Sequence, residues 1–118
     1  MRPEERDGAY LWDMREYARE VMRMIAGADL ARYQADPQLR LAVERAMEII
    51  GESARRVSPA FQEAHPEIPW QRIISQRNFI AHEYEKINAA RIWETATLRV
   101  PELIRVLDPL ITMPPSGA

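Results

Sequence analysis

The stretch SQRNFIAHEYEK, Ser75 to Lys86, gathers four side chains equipped to act on a phosphate: Arg77, Asn78, His82 and Tyr84. Histidine exchanges protons near neutral pH. Arginine keeps its charge and can stabilise a phosphorane-like transition state. His82 lies four residues after Asn78, which places both on one helical face. It lies five after Arg77, an offset of about 140° on an ideal helix. The three can surround a groove edge, yet Arg77 and His82 need not touch within one chain. A homodimer that pairs this helix with its symmetry mate would bring one subunit's arginine near the other's histidine.

Arg77 is the unusual member. As a helix, this segment places Trp70, Ile73, Ile80 and Tyr84 on one apolar stripe, and Arg77 fills the vacancy between Ile73 and Ile80. A buried guanidinium is costly unless paired and hydrogen-bonded. Structural readings of Arg77 are a salt bridge to Glu48 or Glu52, or a stem that snorkels to water. The functional reading is a guanidinium held in a cleft to receive a phosphate or carboxylate. His82 has a structural alternative in capping, and Tyr84 in packing at the core edge. Glu83 and Glu85 read as solvated.

Other chemistries lack their residues. The chain has 2 histidines and no cysteine, which excludes disulfides and thiolate metal sites. His82 and its neighbouring glutamates do not form a zinc-binding H-E-x-x-H pattern, and His65 before Pro66 reads as a loop residue. No Walker loop, dinucleotide fingerprint or nucleophile elbow is present. No metal site and no cofactor are therefore expected. The net charge of −2 argues against tight nucleic-acid binding through whole-protein charge, though a local basic groove is compatible with it. Fifteen arginines against the single Lys86 read as a composition bias of the chain as a whole. No run approaches the roughly 18 apolar residues of a membrane span, and MRPEERDGAY lacks a signal-peptide core. The expected location is cytoplasmic.

The elements that must position the cluster are helical. With 118 residues, 47% of them hydrophobic, one domain with a real core is expected. Leu11, Met14, Ala18, Val21 and Ile25 follow a 3,4,3,4 spacing, the mark of an amphipathic helix, and Gly27 is its expected terminator. ADLARYQAD reads as a short connection with room for one helical turn. Asp36-Pro37 reads as an N-cap and first helical residue. The helix after it has an apolar set too broad for one seam, which implies contacts on two sides, with other helices and with room for another subunit. Gly51 within it implies a close backbone approach, because glycine there costs about 1 kcal/mol relative to alanine. Ser58-Pro59 opens a short turn or helix. Pro69 opens a third long helix, Trp70 to about Tyr84. Asn88 caps a fourth, in which Pro101 should kink or split the rod. The expectation is all-α: a bundle of four principal helices over residues 1–113, followed by a flexible tail at 114–118.

The segment RNFIAHEY resembles the R-x-x-x-x-H-x-Y motif of HepT-like toxins in the HEPN superfamily. YLWDMREYARE, AMEIIGESARRVS, HPEIPWQRIISQRNFIAHEY and RIWETATLRVPEL are similar to their counterparts along almost the whole chain. Gln76, where relatives often carry methionine, and the EKIN that follows Tyr84 depart from the pattern without touching the motif. The resemblance implies a homodimeric, metal-independent ribonuclease, the toxin of a type VII toxin-antitoxin system, with its site at the dimer interface. It implies Arg77 and His82 as the catalytic pair and Asn78 as the adjoining polar residue. It also implies Tyr84 as the tyrosine to which an MntA-type nucleotidyltransferase antitoxin attaches AMP from ATP. A second class stays open on the same resemblance: a non-catalytic partner subunit of a nucleotidyltransferase.

Overall fold

The computed structural model describes residues 2–111, and it is helical with no strand among them. Helix α1 spans Pro3–Ile25, α2 Leu30–Ala35, α3 Pro37–Arg56, α4 Pro59–Ala64 and α5 Trp70–His82. Helix α6, Ala89–Glu94, continues through a π-helical turn, Thr95–Arg99, into α7, Val100–Leu107. The expected flexible tail, 114–118, lies outside the described residues, as does the end of the expected domain span.

Local chemistry starts and stops these helices. Asp36 accepts a hydrogen bond from the Leu39 amide ahead of Pro37. The Asn88 side chain accepts from the amides of Ala90 and Arg91 and opens α6. Both satisfy donors that a helix N-terminus leaves without an intrahelical partner. Gly27 ends the first rod with φ at 77°, a left-handed value that suits glycine. The short connection holds α2, where Asp29 accepts from the Arg32 amide as its cap.

The core forms where α1, α3, α5 and α7 meet. Leu11, Met14, Ala18, Val21 and Ile25 all point inward, at 6% exposure or less. Burying each larger side chain among them stabilises the fold by about 1.5–3 kcal/mol. Helix α3 is the shared wall, packed on α1 on one side and on α5 on the other. That arrangement accounts for the buried part of its broad apolar set, Val43, Ala46, Met47, Ile50 and Ala54, while Leu41 stays 66% exposed. Helix α7 closes the far side of α1, and α2 packs on α6, where Tyr33 and Trp93 sit 5.4 Å apart between ring centroids.

Two electrostatic ties fix the ends. Asp7, 8% exposed, accepts from both the amide and the hydroxyl of Ser58, joining α1 to the start of α4. Arg15 packs over the Trp12 ring and reaches Asp108 at 3.2 Å, joining α1 to the turn after α7.

The fourth rod is split just before Pro101. Proline supplies no amide and its ring crowds the carbonyl four residues back, here Thr97. The chain responds by widening: the Val100 amide bonds to the Thr95 carbonyl, the longer π spacing. Thr97 turns its hydroxyl back onto the Trp93 carbonyl at 2.9 Å. The wider turn re-registers every residue that follows it.

Candidate active site

Helix α5 is held against α3 by a close crossing. Gly51 of α3 is buried, and a β-carbon built on it would lie 2.1 Å from Arg77 Cβ and 2.7 Å from its Cγ. Only a residue without a side chain lets the Arg77 stem lie across α3. The stem therefore fills the vacancy in the apolar stripe, flanked by Trp70 at 6% exposure and Ile80 at 2%.

The Arg77 head emerges at the edge. Its side chain is 27% exposed, and one terminal nitrogen lies 3.4 Å from a Glu52 carboxylate oxygen. The other donates to the side-chain Oδ1 of Asn78 at 3.0 Å. Its Nε is buried without a hydrogen-bond partner. Glu52 also receives Arg55 at 2.7 Å and Arg56 at 2.9 Å. Hydrogen bonds from Arg55 and then Arg56 hold the Glu52 carboxyl down at about 2, with the Arg77 charge adding a smaller share. Glu52 stays anionic and anchors the guanidinium. A shallow hollow of about 140 Å³ opens here, lined by Arg45, Glu48, Ile49, Glu52, Ser53 and Arg77.

His82 and Asn78 lie elsewhere on the same helix. Both are exposed, on an outer stripe with Gln71 and Ser75. Among the described residues, the partners of Arg77 are Glu52 and Asn78, and His82 is not one of them. Within one chain, then, Asn78 links to the arginine by contact and to the histidine by facing the same way.

The helix ends earlier than the spacing predicts. Glu83 leaves the helical region at φ −123° and ψ 37°, and Tyr84–Lys86 form a tighter 3₁₀ turn. Tyr84 is thereby removed from the apolar stripe and is 68% exposed. Its ring is no core residue, and its hydroxyl stands two residues beyond His82 at the helix end.

His65 pairs with Glu67 at 2.9 Å in the loop before α5 and stacks on Phe61, away from this cluster. Among the described residues, no group of three or more His, Asp or Glu side chains is arranged to hold a metal ion. No helix among them is long and apolar enough to cross a membrane. Sequence reasoning missed the role of Gln76, whose side-chain amide donates to the Thr95 hydroxyl at 3.2 Å and ties α5 to the π turn. Its signal was available: it is a polar residue on a helical face shared with Ile73.

The family model described as "Ribonuclease HepT-like" matches residues 14–110, which contain every element from the middle of α1 to the end of α7. The chain is 33% identical over 100 residues to "Putative RNase MJ1380" of Methanocaldococcus jannaschii, covering 85% of this chain and 92% of that one. It is 33% identical over 94 residues to "Putative RNase TTE0752" of Caldanaerobacter subterraneus, covering 80% and 84%. It is 30% identical over 94 residues to "Probable ribonuclease HepT" of Thermococcus cleftensis, covering 80% and 86%. No solved structure matches the chain. With the matched region running through the Gly51 crossing and the whole of α5, the chain belongs to the HepT-like ribonuclease family.

Proposed function

We propose that this chain is a metal-independent endoribonuclease that works as a homodimer and serves as the toxin of a type VII toxin-antitoxin system. The observation that carries this reading is the placement of Arg77. Its stem is locked over Gly51 and its head is oriented by Glu52 and Asn78 at the surface, not sealed in the core. A guanidinium held in place without being enclosed suits an incoming phosphate, since it needs little reorganisation when charge develops. The RNase names of the relatives favour RNA as the substrate.

In the proposed reaction the 2′-oxygen of a ribose attacks the adjacent phosphorus. The P–O5′ bond breaks, leaving a 2′,3′-cyclic phosphate and a 5′-hydroxyl. His82 takes the proton from the attacking 2′-hydroxyl or gives one to the leaving 5′-oxygen. Arg77 neutralises charge on the non-bridging oxygens. Asn78, bonded to Arg77 and facing the same way as His82, orients the arginine or the substrate. Because Arg77 and His82 diverge within one chain, the working pair is Arg77 of one subunit with His82 of the other.

Regulation acts at Tyr84 in this reading. An MntA-type nucleotidyltransferase antitoxin transfers AMP from ATP to the exposed Tyr84 hydroxyl, the Tyr84 oxygen bonding the α-phosphorus as pyrophosphate leaves, which places a phosphate and a bulky nucleoside at the end of the helix that carries His82. The test is a nuclease assay of the pure protein and its His82→Ala variant, with and without chelator. Cleavage that is chelator-resistant and lost in the variant is expected. Equal cleavage by both proteins would remove His82 from the mechanism, and inert wild-type protein would favour a non-catalytic partner subunit.

A further inference from the structure

A second cavity lies away from the Arg77 cluster. It is a cleft of about 660 Å³ between α5, α3 and the rod formed by α6, the π turn and α7. From Gln76, which lines it, Asn78 lies about 200° around α5, so the cleft and the Asn78–His82 stripe face opposite ways. The π turn shapes one wall: it carries Arg99 and re-registers Val100 and Leu103, all of which line the cleft.

Its chemistry is two-sided. The floor is aliphatic, built from Met47, Ile50, Ile73, Val100, Leu103 and Val106. The rim carries Arg72, Arg91 and Arg99, all exposed, and none has a carboxylate partner among the described residues. Two of the rim acids are already engaged, Glu67 by His65 and Glu102 by Arg105. Glu94 is the third acid on the rim. Three uncommitted guanidiniums thus face a single uncommitted carboxylate.

We infer that this cleft is a docking groove for an acidic, amphipathic peptide segment of a partner protein. Its apolar side chains would enter the floor while its carboxylates meet Arg72, Arg91 and Arg99. The volume falls in the range of built ligand sites, roughly 300–1,000 Å³. Grooves that take an amphipathic helix read anchors at i, i+3 or i+4 and i+7 against an apolar floor. Planar guanidiniums meet carboxylates with paired hydrogen bonds. The floor also decides against single-stranded RNA. Such sites stack bases on aromatic rings, and no aromatic side chain lines this cleft among the described residues.

The test is a selection from a displayed library of random 16-residue peptides against the full-length protein. Counter-selection uses the Arg91→Glu/Arg99→Glu variant, checked for native circular dichroism, oligomeric state and nuclease activity. Both arginines are exposed and lie outside the Arg77 cluster, so folding and cleavage should persist. Enriched peptides should carry Asp or Glu beside Leu, Ile or Phe at helical spacing. They should bind the variant at least about tenfold more weakly and perturb the methyl resonances of Ile73, Val100 and Val106. No enrichment over background, enrichment of basic peptides, or binding that survives the double reversal would overturn the inference. So would two further results: loss of RNA affinity in the variant, which makes the cleft a nucleic-acid surface, or its dissociation into monomers, which makes a second copy the occupant.

Discussion

Arg77 and Gly51 are in contact as stem and backbone, with a hypothetical Gly51 β-carbon only 2.1 Å from Arg77 Cβ. Both neighbouring atoms belong to the rigid base of the arginine, and the Ile73 carbonyl lies 3.1 Å away, so a methyl group cannot be accommodated by a rotamer change. Gly51→Ala therefore sets two effects against each other. Helix propensity favours alanine by about 1 kcal/mol, while overpacking at a helix crossing costs about 1–3 kcal/mol and here falls at the upper end. The expected net result is a less stable protein with its Arg77 displaced. Urea unfolding should show a lower midpoint with an unchanged slope, and RNA cleavage should fall in the protein that remains folded. An alanine variant more stable than wild type would mean that the crossing is looser than the contact distances require.

Glu52 gives the site an acid-side dependence with a defined sign. Its folded pKa of about 2 lies below the ordinary 4.5, held there by Arg55 first, then Arg56. The unfolded chain takes up the proton first, so this contribution is full above about pH 4.5 and is lost as pH falls toward 2. With 29% of the side chain exposed, solvent screening limits it to about 1 kcal/mol at neutral pH. Glu52→Gln should cost that much in urea unfolding at neutral pH. The gap between variant and wild type should close as both are titrated into that acid window. A gap that stays constant with pH would assign Glu52 a packing role instead.

The parts of this fold that are legible in the sequence are the local ones. Asp36 with Pro37, Asn88, and Gly27 act through neighbours a few residues away, and each sits where its type predicts. Gly51 is legible too, because a glycine inside a strongly apolar helix gives up helix propensity, and a close backbone approach offsets that loss. Tyr33 is not: it is wholly buried, but only because α2 folds back onto Trp93, sixty residues later. Tyr84 looks like a stripe residue because periodicity cannot see that Glu83 leaves the helix. The cleft is hidden for the same reason as Tyr33. Its arginines come from α5 and from the far rod, and the π turn that carries Arg99 and re-registers Val100 and Leu103 depends on how Pro101 is accommodated.

If the working pair is shared between subunits, two dead variants should repair each other. Arg77→Ala leaves His82 intact, and His82→Ala leaves Arg77 intact. Each homodimer should lose cleavage by about 10²–10⁴-fold. Mixing them under conditions of subunit exchange gives a heterodimer with one complete site and one doubly deficient site. With random pairing half the dimers are mixed, so activity should recover to about a quarter of wild type. Nuclease assay before and after exchange, with light scattering to establish the dimer, reads this directly. No recovery in a mixture shown to contain heterodimers would place the arginine and histidine of each site on one chain. The two variants should also differ in stability. His82 is exposed, so its loss should leave the unfolding midpoint in place, whereas Arg77→Ala removes the stem that crosses Gly51.

Tyr84 offers the cleanest separation of cleavage from its control. At 68% exposure its ring contributes little to the core, and Tyr84→Phe removes one hydroxyl from a turn outside α5. The expected unfolding midpoint is that of wild type, because surface substitutions away from caps and networks stay within about 0.5 kcal/mol. RNA cleavage should persist at least in part, since the proposed reaction assigns proton transfer to His82 and charge neutralisation to Arg77. What should disappear is silencing. In the proposed dimer, AMP on the Tyr84 oxygen would add negative charge and bulk at the end of the helix that carries His82, and Arg77 of the paired subunit would be a cation able to hold that phosphate in place. Inhibition would then need no refolding, only occupation of the path of the RNA backbone. The measurement is intact mass after incubation with ATP, magnesium and the cognate nucleotidyltransferase, followed by nuclease assay of the same sample. Wild type should gain AMP and lose activity, while Tyr84→Phe should do neither. A phenylalanine variant that still gains AMP and falls silent would move the modification to another hydroxyl, with Ser75, exposed on the outer stripe of α5, the first to examine.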